Sequence, residues 1–186
     1  MLRGFCTYRR LRPTIISVKR IVVGLAVIGI VTAVSIQVRA QFRMRHAERV
    51  AAASLKAIVE AERVFRKAGG RGGYAIDFQS LTQPCPGERA AALSSLPPFS
   101  AYEYRVVLRA AEGASVTGTD CHGRPAASDF YAALQPVHGW AGRQAFASSS
   151  WGRIYVFFDG LPPVERDMAA GGLAVPLDAL DTFKIP

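Results

Sequence analysis

The sequence predicts an α+β protein in which a long N-terminal α-helix packs on a small antiparallel β-sheet head. An uncharged apolar run, Ile21–Val38, leads without Gly or Pro into a helix-forming run, Gln41–Lys67. A glycine-rich stretch, Gly69–Gly73, then ends the helical pattern, and short alternating segments follow it. We predict four parts: a basic segment 1–20, a transmembrane helix part 21–38, an amphipathic helix part 39–68 and a β-rich head 69–186.

The basic N-terminal segment accounts for an uneven distribution of charge. The chain has a formal net charge of +9; residues 1–50 hold ten basic residues and one acidic residue, whereas residues 51–186 hold thirteen of each. The chain after residue 50 is therefore neutral overall, and the predicted head lacks the electrostatic footprint of a nucleic-acid-binding domain. Cations beside an apolar stretch instead fit anionic lipid headgroups, at roughly 1 kcal/mol per residue. We expect a lipid bilayer as a partner and no nucleic acid.

The apolar run Ile21–Val38 is eighteen residues long and has no formal charge. At about 1.5 Å per residue, a helix of this length spans roughly 27 Å, close to the thickness of a bilayer core. Six basic residues precede the run and four follow it closely, a bias that favours a cytoplasmic N-terminus. The favoured interpretation is an uncleaved single-pass anchor.

Two other interpretations of this run remain. A cleaved secretory signal would end at the small-residue site Val38-Arg39-Ala40 and release a secreted or periplasmic binding module that begins at Gln41. Arg39 inside that site and the long apolar region count against cleavage. A buried helix of a soluble protein is the other alternative, and the apolar character on every face counts against it.

The amphipathic helix part contains mainly Ala, Arg, Glu and Leu, which are good helix formers. Its apolar positions recur at a spacing of three and four, which predicts one buried face. The members of this face are Leu55, Ile58, Val59, Glu62 and Phe65, with Val50, Ala51 and Ala61 nearby. We expect one helix from about Thr14 to Lys67.

Four segments of the head have strand character. In Tyr102–Arg109 apolar residues alternate with mostly polar ones, Val107 being the exception; Asp129–Gln135, Gln144–Ser149 and Arg153–Phe158 are the other candidates. Consecutive short strands with glycines between them predict an antiparallel sheet with one face against the helix. The tail, Leu161–Pro186, has four prolines and is predicted to be irregular.

The cysteines and histidines indicate one covalent link and no reaction. If the head is exported, Cys85 and Cys121 can form a disulfide, worth about 4 kcal/mol in the chain-entropy model, while Cys6 stays reduced. Two free buried thiols are the alternative. Asp120-Cys121-His122 offers three ligand types, but neighbouring residues point in different directions and no second cluster completes a metal site. We expect no catalytic residues, no metal and no cofactor.

In the order of its segments, the chain resembles the type IV pilins and the pseudopilins of type II secretion. The apolar run, the arginine-bearing run and the helix that follows are similar in order and spacing to the helix of that family. The head is similar at Gly72–Ala75, at Pro84–Gly87 and at Tyr131–Pro136 with Gly142–Phe146. The resemblance covers roughly residues 20–160.

The resemblance implies a bacterial inner-membrane protein with a periplasmic head and with other pilin subunits and an inner-membrane assembly platform as partners. We expect other membrane helices to pack on the apolar segment through its small residues Gly24, Ala26, Gly29 and Ala33.

The chain departs from the family at the processing site. The positions of the family's glycine, new N-terminus and glutamate are held by Ile15, Ile16 and Arg20, and Gln37 replaces a helix-breaking proline. A degenerate site predicts a membrane-retained minor or accessory component.

Overall fold

The computed structural model describes residues 18–83, 85–86, 104–139, 142–162, 164–168 and 175–177. Its elements divide into two compact units, 1–40 and 41–186, and each is described by itself. The elements occur in the order α1 (Val18–Lys67), β1 (Tyr74–Ala75), α2 (Phe78–Thr82), β2 (Tyr104–Ala110), β3 (Val116–Thr119), β4 (Pro125–Ala127), β5 (Phe130–Pro136), β6 (Ala145–Ser149), β7 (Ile154–Phe157), α3 (Glu165–Met168) and β8 (Val175–Pro176).

The amphipathic part of α1 buries the face that its spacing predicts. Leu55, Ile58 and Ala61 are fully buried, and Ala47, Ala51, Val59 and Phe65 are nearly so. These side chains share one apolar core with residues from both sheets of the second unit, including Ala126, Leu134 and Val156. The fold class is therefore α+β, a long helix packed on antiparallel sheets.

The helix ends at Lys67 because the amides that follow bond back to its last turn. Gly70 N donates to Phe65 O at 2.7 Å, and Gly72 N donates to Arg66 O at 3.0 Å. Gly72 has a φ of +94°, a conformation that glycine adopts at little cost. The prediction that the Gly69–Gly73 stretch ends the helix is confirmed. The predicted beginning near Thr14 lies outside the described residues.

Two antiparallel sheets form the head, where the sequence predicted one. The smaller has the order β1-β4-β3 and the larger the order β2-β5-β6-β7-β8. In the larger sheet, Val106, Leu134, Phe146 and Val156 are in register across four strands and belong to the core beneath α1. This face fixes the position of the amphipathic half of the helix.

The opposite face of the larger sheet has a smaller apolar cluster of its own. Ala133 and Ala147 are paired across β5 and β6, and Tyr131, Tyr155 and Met168 pack with them. An ion pair of 2.9 Å joins Arg109 Nη2 to Glu165 Oε1 and ties α3 to β2. Burial raises the pKa of Tyr131 to about 12, with a smaller contribution from the charge of Glu165.

Three predicted strands are confirmed within one or two residues as β5, β6 and β7, and the described part of the first is β2. The prediction of a wholly irregular tail is wrong, because α3 and β8 lie within it. β8 has only two residues, and its pairing of Val175 with Val156 leaves no periodic signal in the sequence. The smaller sheet was missed for the same reason, since β1, β3 and β4 have two to four residues each.

Candidate functional site

The apolar part of α1 is exposed along its whole length. Every residue from Ile21 to Arg43 is exposed, with Leu25 at 66% and Ile36 at 68%. In the part of the chain that the structure describes, α1 is the one helix long and apolar enough to cross a membrane. A secretory signal meets the same criterion of length and hydropathy; the core helix of a soluble protein would be mostly buried, whereas none of this apolar window is buried in the structure. An apolar surface this large needs lipid or protein around it.

The two hydroxyl side chains of this segment are satisfied within the helix. Thr32 Oγ1 donates to the carbonyl of Ile28 or Gly29, each at 2.9 Å, and Ser35 Oγ donates to Val31 O at 2.7 Å. In hydrocarbon an unsatisfied polar group costs several kcal/mol, so bonds of this kind are what allow Ser and Thr in a membrane helix. The segment therefore presents almost no unmet polar group to its surroundings.

The four small residues predicted to pack against other helices do not form one stripe. Ala26, Gly29 and Ala33 follow a spacing of three and four and share a face of α1, whereas Gly24 is two positions before Ala26 and lies on the opposite side. A Cβ added at Gly24 or Gly29 would meet no atom within 4 Å. The small size of these glycines therefore serves no contact within the described chain.

The predicted processing site lies at the edge of the structure. Ile15 and Ile16 are outside the described residues, and Arg20 belongs to the helical backbone of α1. The assignment of these three positions to a degenerate processing site stays a prediction.

The disulfide predicted for Cys85 and Cys121 is present, with a Cα–Cα distance of 5.8 Å across 36 residues of sequence. It joins the segment after α2 to the turn between β3 and β4. His122 lies beside the two sulfurs, within 4.8 Å. The sulfurs are bonded to each other and carry no thiolate charge, so this trio is not a metal site while the disulfide is intact.

Asp120 shapes the turn that holds Cys121. Its Oδ1 accepts hydrogen bonds from the amides of His122 and Arg124 at 2.9 and 2.8 Å, and its Oδ2 pairs with Arg124 Nε at 2.9 Å. Burial alone would raise the pKa of Asp120, but the hydrogen bonds from Arg124 and His122 outweigh it and hold the pKa below its ordinary value. Both carboxylate oxygens of Asp120 are thus engaged in holding the turn.

Glu62 is a buried carboxyl group that the sequence placed on the apolar face without a role. Its side chain is fully buried; Oε2 accepts a hydrogen bond from Ala75 N at 2.9 Å, and Oε1 has no partner among the described residues. Burial raises the pKa of Glu62 from its ordinary 4.5 to about 8. The hydrogen bond from Ala75 N lowers the pKa in part, and the charge of Asp77 adds a small increase. Arg66, one turn later, bonds to Tyr74 Oη instead, at 2.7 Å. Glu62 is therefore mostly neutral at pH 7.

An open cleft of about 380 Å³ lies at one end of the larger sheet, beside β5 and β7. Charged and aromatic side chains line it, among them His138, Arg143, Phe158 and Asp159. Its described lining has no Ser, Thr, Cys or Lys that could act as a nucleophile.

Comparisons with protein-family models, with curated proteins and with solved structures found no match. The likeness to pilins and pseudopilins therefore depends on the order of the sequence segments alone.

Proposed function

We propose that this chain is a single-pass, membrane-anchored, pilin-like protein, a minor or accessory structural component of a type IV pilus or a type II secretion-like assembly. Its N-terminus lies in the cytoplasm and its head in the periplasm of a bacterial inner membrane. The observation that carries the proposal is the double character of α1. The helix is apolar and exposed over Ile21–Val38, and its later turns are the buried spine of an α+β head.

Two further observations support the proposed location. The disulfide between Cys85 and Cys121 suits an oxidising compartment such as the periplasm. The remaining cysteine, Cys6, precedes the apolar segment and would stay reduced in the cytoplasm. The two sides of the predicted span therefore have the thiol chemistry expected of their compartments.

The orientation is tested with the single free thiol of the wild-type chain. In intact spheroplasts, a membrane-impermeant maleimide should leave Cys6 unmodified until detergent is added. A matched variant, Cys6→Ala with Glu112→Cys, moves the thiol to an exposed turn of the head and should be modified without detergent. Alkaline carbonate should leave both proteins in the membrane pellet. Labelling of Cys6 from outside would reverse the proposed topology.

The assembly role is tested with a photo-crosslinking residue at Ala33, on the face shared with Ala26 and Gly29. We expect adducts with other pilin-type or assembly-platform proteins in native membranes. The same residue placed at Val31, on another side of the helix, is the control for random collisions. Recovery of lipid adducts alone at both positions would remove the structural role and leave only an anchor.

A second candidate is a secreted or periplasmic binding module released after Ala40. One observation favours it: the second compact unit begins at Gln41, the first residue of the released form. The intact mass of the membrane-extracted and secreted protein decides between the candidates. A chain beginning at Met1 excludes release, one beginning at Gln41 establishes it, and one beginning at Ile16 identifies cleavage by prepilin peptidase at the degenerate site.

A further inference from the structure

The start of the second unit has exposed cations without a counterion. Arg43, Arg45 and Arg49 are exposed, and none of them forms an ion pair with any residue that the structure describes. Glu48 is the one acidic residue among the first fifty, and its Oε1 accepts a hydrogen bond from Arg143 N at 3.0 Å. The charge of these arginines is therefore available to an external anion.

The arginines are distributed around α1 rather than along one face. Each residue turns the helix by about 100°, so Arg43 and Arg45 point to nearly opposite sides. Arg49 follows Arg45 by four positions and lies on the same side, where like charges repel. Phe42 is three positions before Arg45 and 68% exposed. We call Phe42, Arg43, Arg45 and Arg49 the arginine collar.

This distribution distinguishes between kinds of partner. A folded protein or a nucleic-acid duplex approaches a helix from one side and would leave Arg43 or the Arg45–Arg49 pair without contact. A bilayer surface surrounds a helix that crosses it and reaches every side that the head leaves uncovered, which from Ala47 onwards excludes only the buried face. Guanidinium groups bind phosphate through two parallel hydrogen bonds, and phospholipid headgroups supply phosphate. The collar follows the apolar segment closely, since Phe42 is four residues after Val38 in the same helix.

We propose that the arginine collar binds anionic phospholipid headgroups of the membrane that the apolar segment crosses. The exposed ring of Phe42 enters the acyl boundary beside them, as aromatic side chains of interfacial helices do. Headgroup binding relieves the repulsion between the arginines and fixes the depth at which α1 leaves the bilayer. This inference depends on the membrane anchor of the proposed function and adds the chemical class of lipid that the anchor selects.

The test uses the full-length chain in a neutral detergent, titrated with phosphatidylglycerol or phosphatidylcholine, with bound lipids counted by native mass spectrometry. The wild type should retain phosphatidylglycerol preferentially. The triple variant Arg43→Gln, Arg45→Gln and Arg49→Gln should lose that preference. Each basic residue near an anionic surface contributes roughly a fivefold factor, so we expect a loss on the order of 100-fold.

A matched triple variant removes the same charge from exposed positions far along α1 and in the loop after it: Lys56→Gln, Lys67→Gln and Arg71→Gln. It should bind phosphatidylglycerol as the wild type does. An equal loss in both variants would assign the effect to net charge and overturn the collar, as would no loss in either. Competition of the bound lipid by a short DNA duplex at equimolar concentration would also overturn it.

Carbonate extraction of the same proteins separates this inference from the anchor. If the wild type is released by carbonate, the proposed membrane anchor fails. If the wild type and both variants stay in the pellet while the lipid preference is unchanged in the collar variant, the anchor stands and the inference about the collar is wrong.

Discussion

The apolar half of α1 and its buried half meet different surroundings within one helix. Residues Ile21–Val38 are apolar on all sides and exposed on all sides, whereas between Ala47 and Phe65 one face is buried against the sheets and the other carries charges. Apolar content alone does not distinguish the two. What distinguishes them is periodicity, because a sheet covers one side of a helix and a bilayer covers every side.

Charge follows the same division. The apolar half has no ionisable residue. The hydroxyl groups of Thr32 and Ser35 donate hydrogen bonds to backbone carbonyls of the same helix. The buried half contains Glu62, which has one backbone donor for two oxygens. Changes in pH should therefore act on the head and leave the apolar half unaffected, which allows the two halves to be tested separately.

The largest effect should come from replacing the titratable carboxyl group of Glu62 by a side chain that does not titrate. The carboxyl group of Glu62 binds its proton more tightly in the folded state than in the unfolded state. Its pKa is about 8 in the folded state and has the ordinary value of 4.5 in the unfolded state. Its contribution to stability is fully present below pH 4.5 and is lost as the pH rises to about 8, at about 1.4 kcal/mol per pH unit and roughly 5 kcal/mol in total. Glu62→Gln should flatten this decline.

The measurement is the free energy of unfolding of the detergent-solubilised chain by denaturant at several values between pH 4.5 and 8.5. Glu60→Gln is the control, because Glu60 is exposed and, among the residues that the structure describes, forms an ion pair only with Arg63, one turn away. If Glu60→Gln and Glu62→Gln change the slope equally, the burial of Glu62 is not the cause.

The disulfide should give the next largest effect, again confined to the head. Replacing Cys85 and Cys121 by Ser should lower the free energy of unfolding by about 4 kcal/mol, because the bridge closes 36 residues of sequence. Membrane retention after carbonate extraction should not change. The matched control is Cys6→Ser, which should leave the free energy of unfolding unchanged. An equal decrease in that variant would show that the loss of the disulfide is not the cause.

A pair of leucines compares the two halves directly. Leu55 is fully buried and Leu25 is 66% exposed in the same helix. Leu55→Ala should destabilise the head by about 3 kcal/mol through lost burial and a cavity. Leu25→Ala should leave unfolding of the head unchanged. Thermal unfolding followed by near-UV circular dichroism reports both, and an equal decrease for the two variants would contradict the division of α1 into a covered and an uncovered half.

The elements that could be predicted from the sequence are the long ones, and those that could not are short. Both halves of α1, its end at the glycine stretch and three strands could be predicted, because each has a signal several residues long: an unbroken apolar run, a three-four spacing, a run of glycines or a run of strand-forming residues. The strands β1, β3, β4 and β8 could not, since they have two to four residues each and a pair such as Tyr74 and Ala75 has no period to detect. Glu62 was assigned to the right face, but its isolation depends on Arg66 turning to Tyr74, which is a tertiary contact.

The smallest expected effect comes from two glycines, one in the apolar half of α1 and one in the loop that follows its buried half. A Cβ at Gly73 would collide with Thr117 Oγ1 and lie 2.9 Å from Ala126 Cβ, so Gly73→Ala should destabilise the head by about 1–3 kcal/mol. Gly29→Ala meets no atom and removes a helix-disfavouring residue, so the isolated chain should be unchanged or slightly more stable. If Gly29→Ala nevertheless reduces crosslinking at Ala33 in native membranes, the open space at Gly29 belongs to a partner helix. If crosslinking and stability are both unchanged, Gly29 has no packing role on this face of α1.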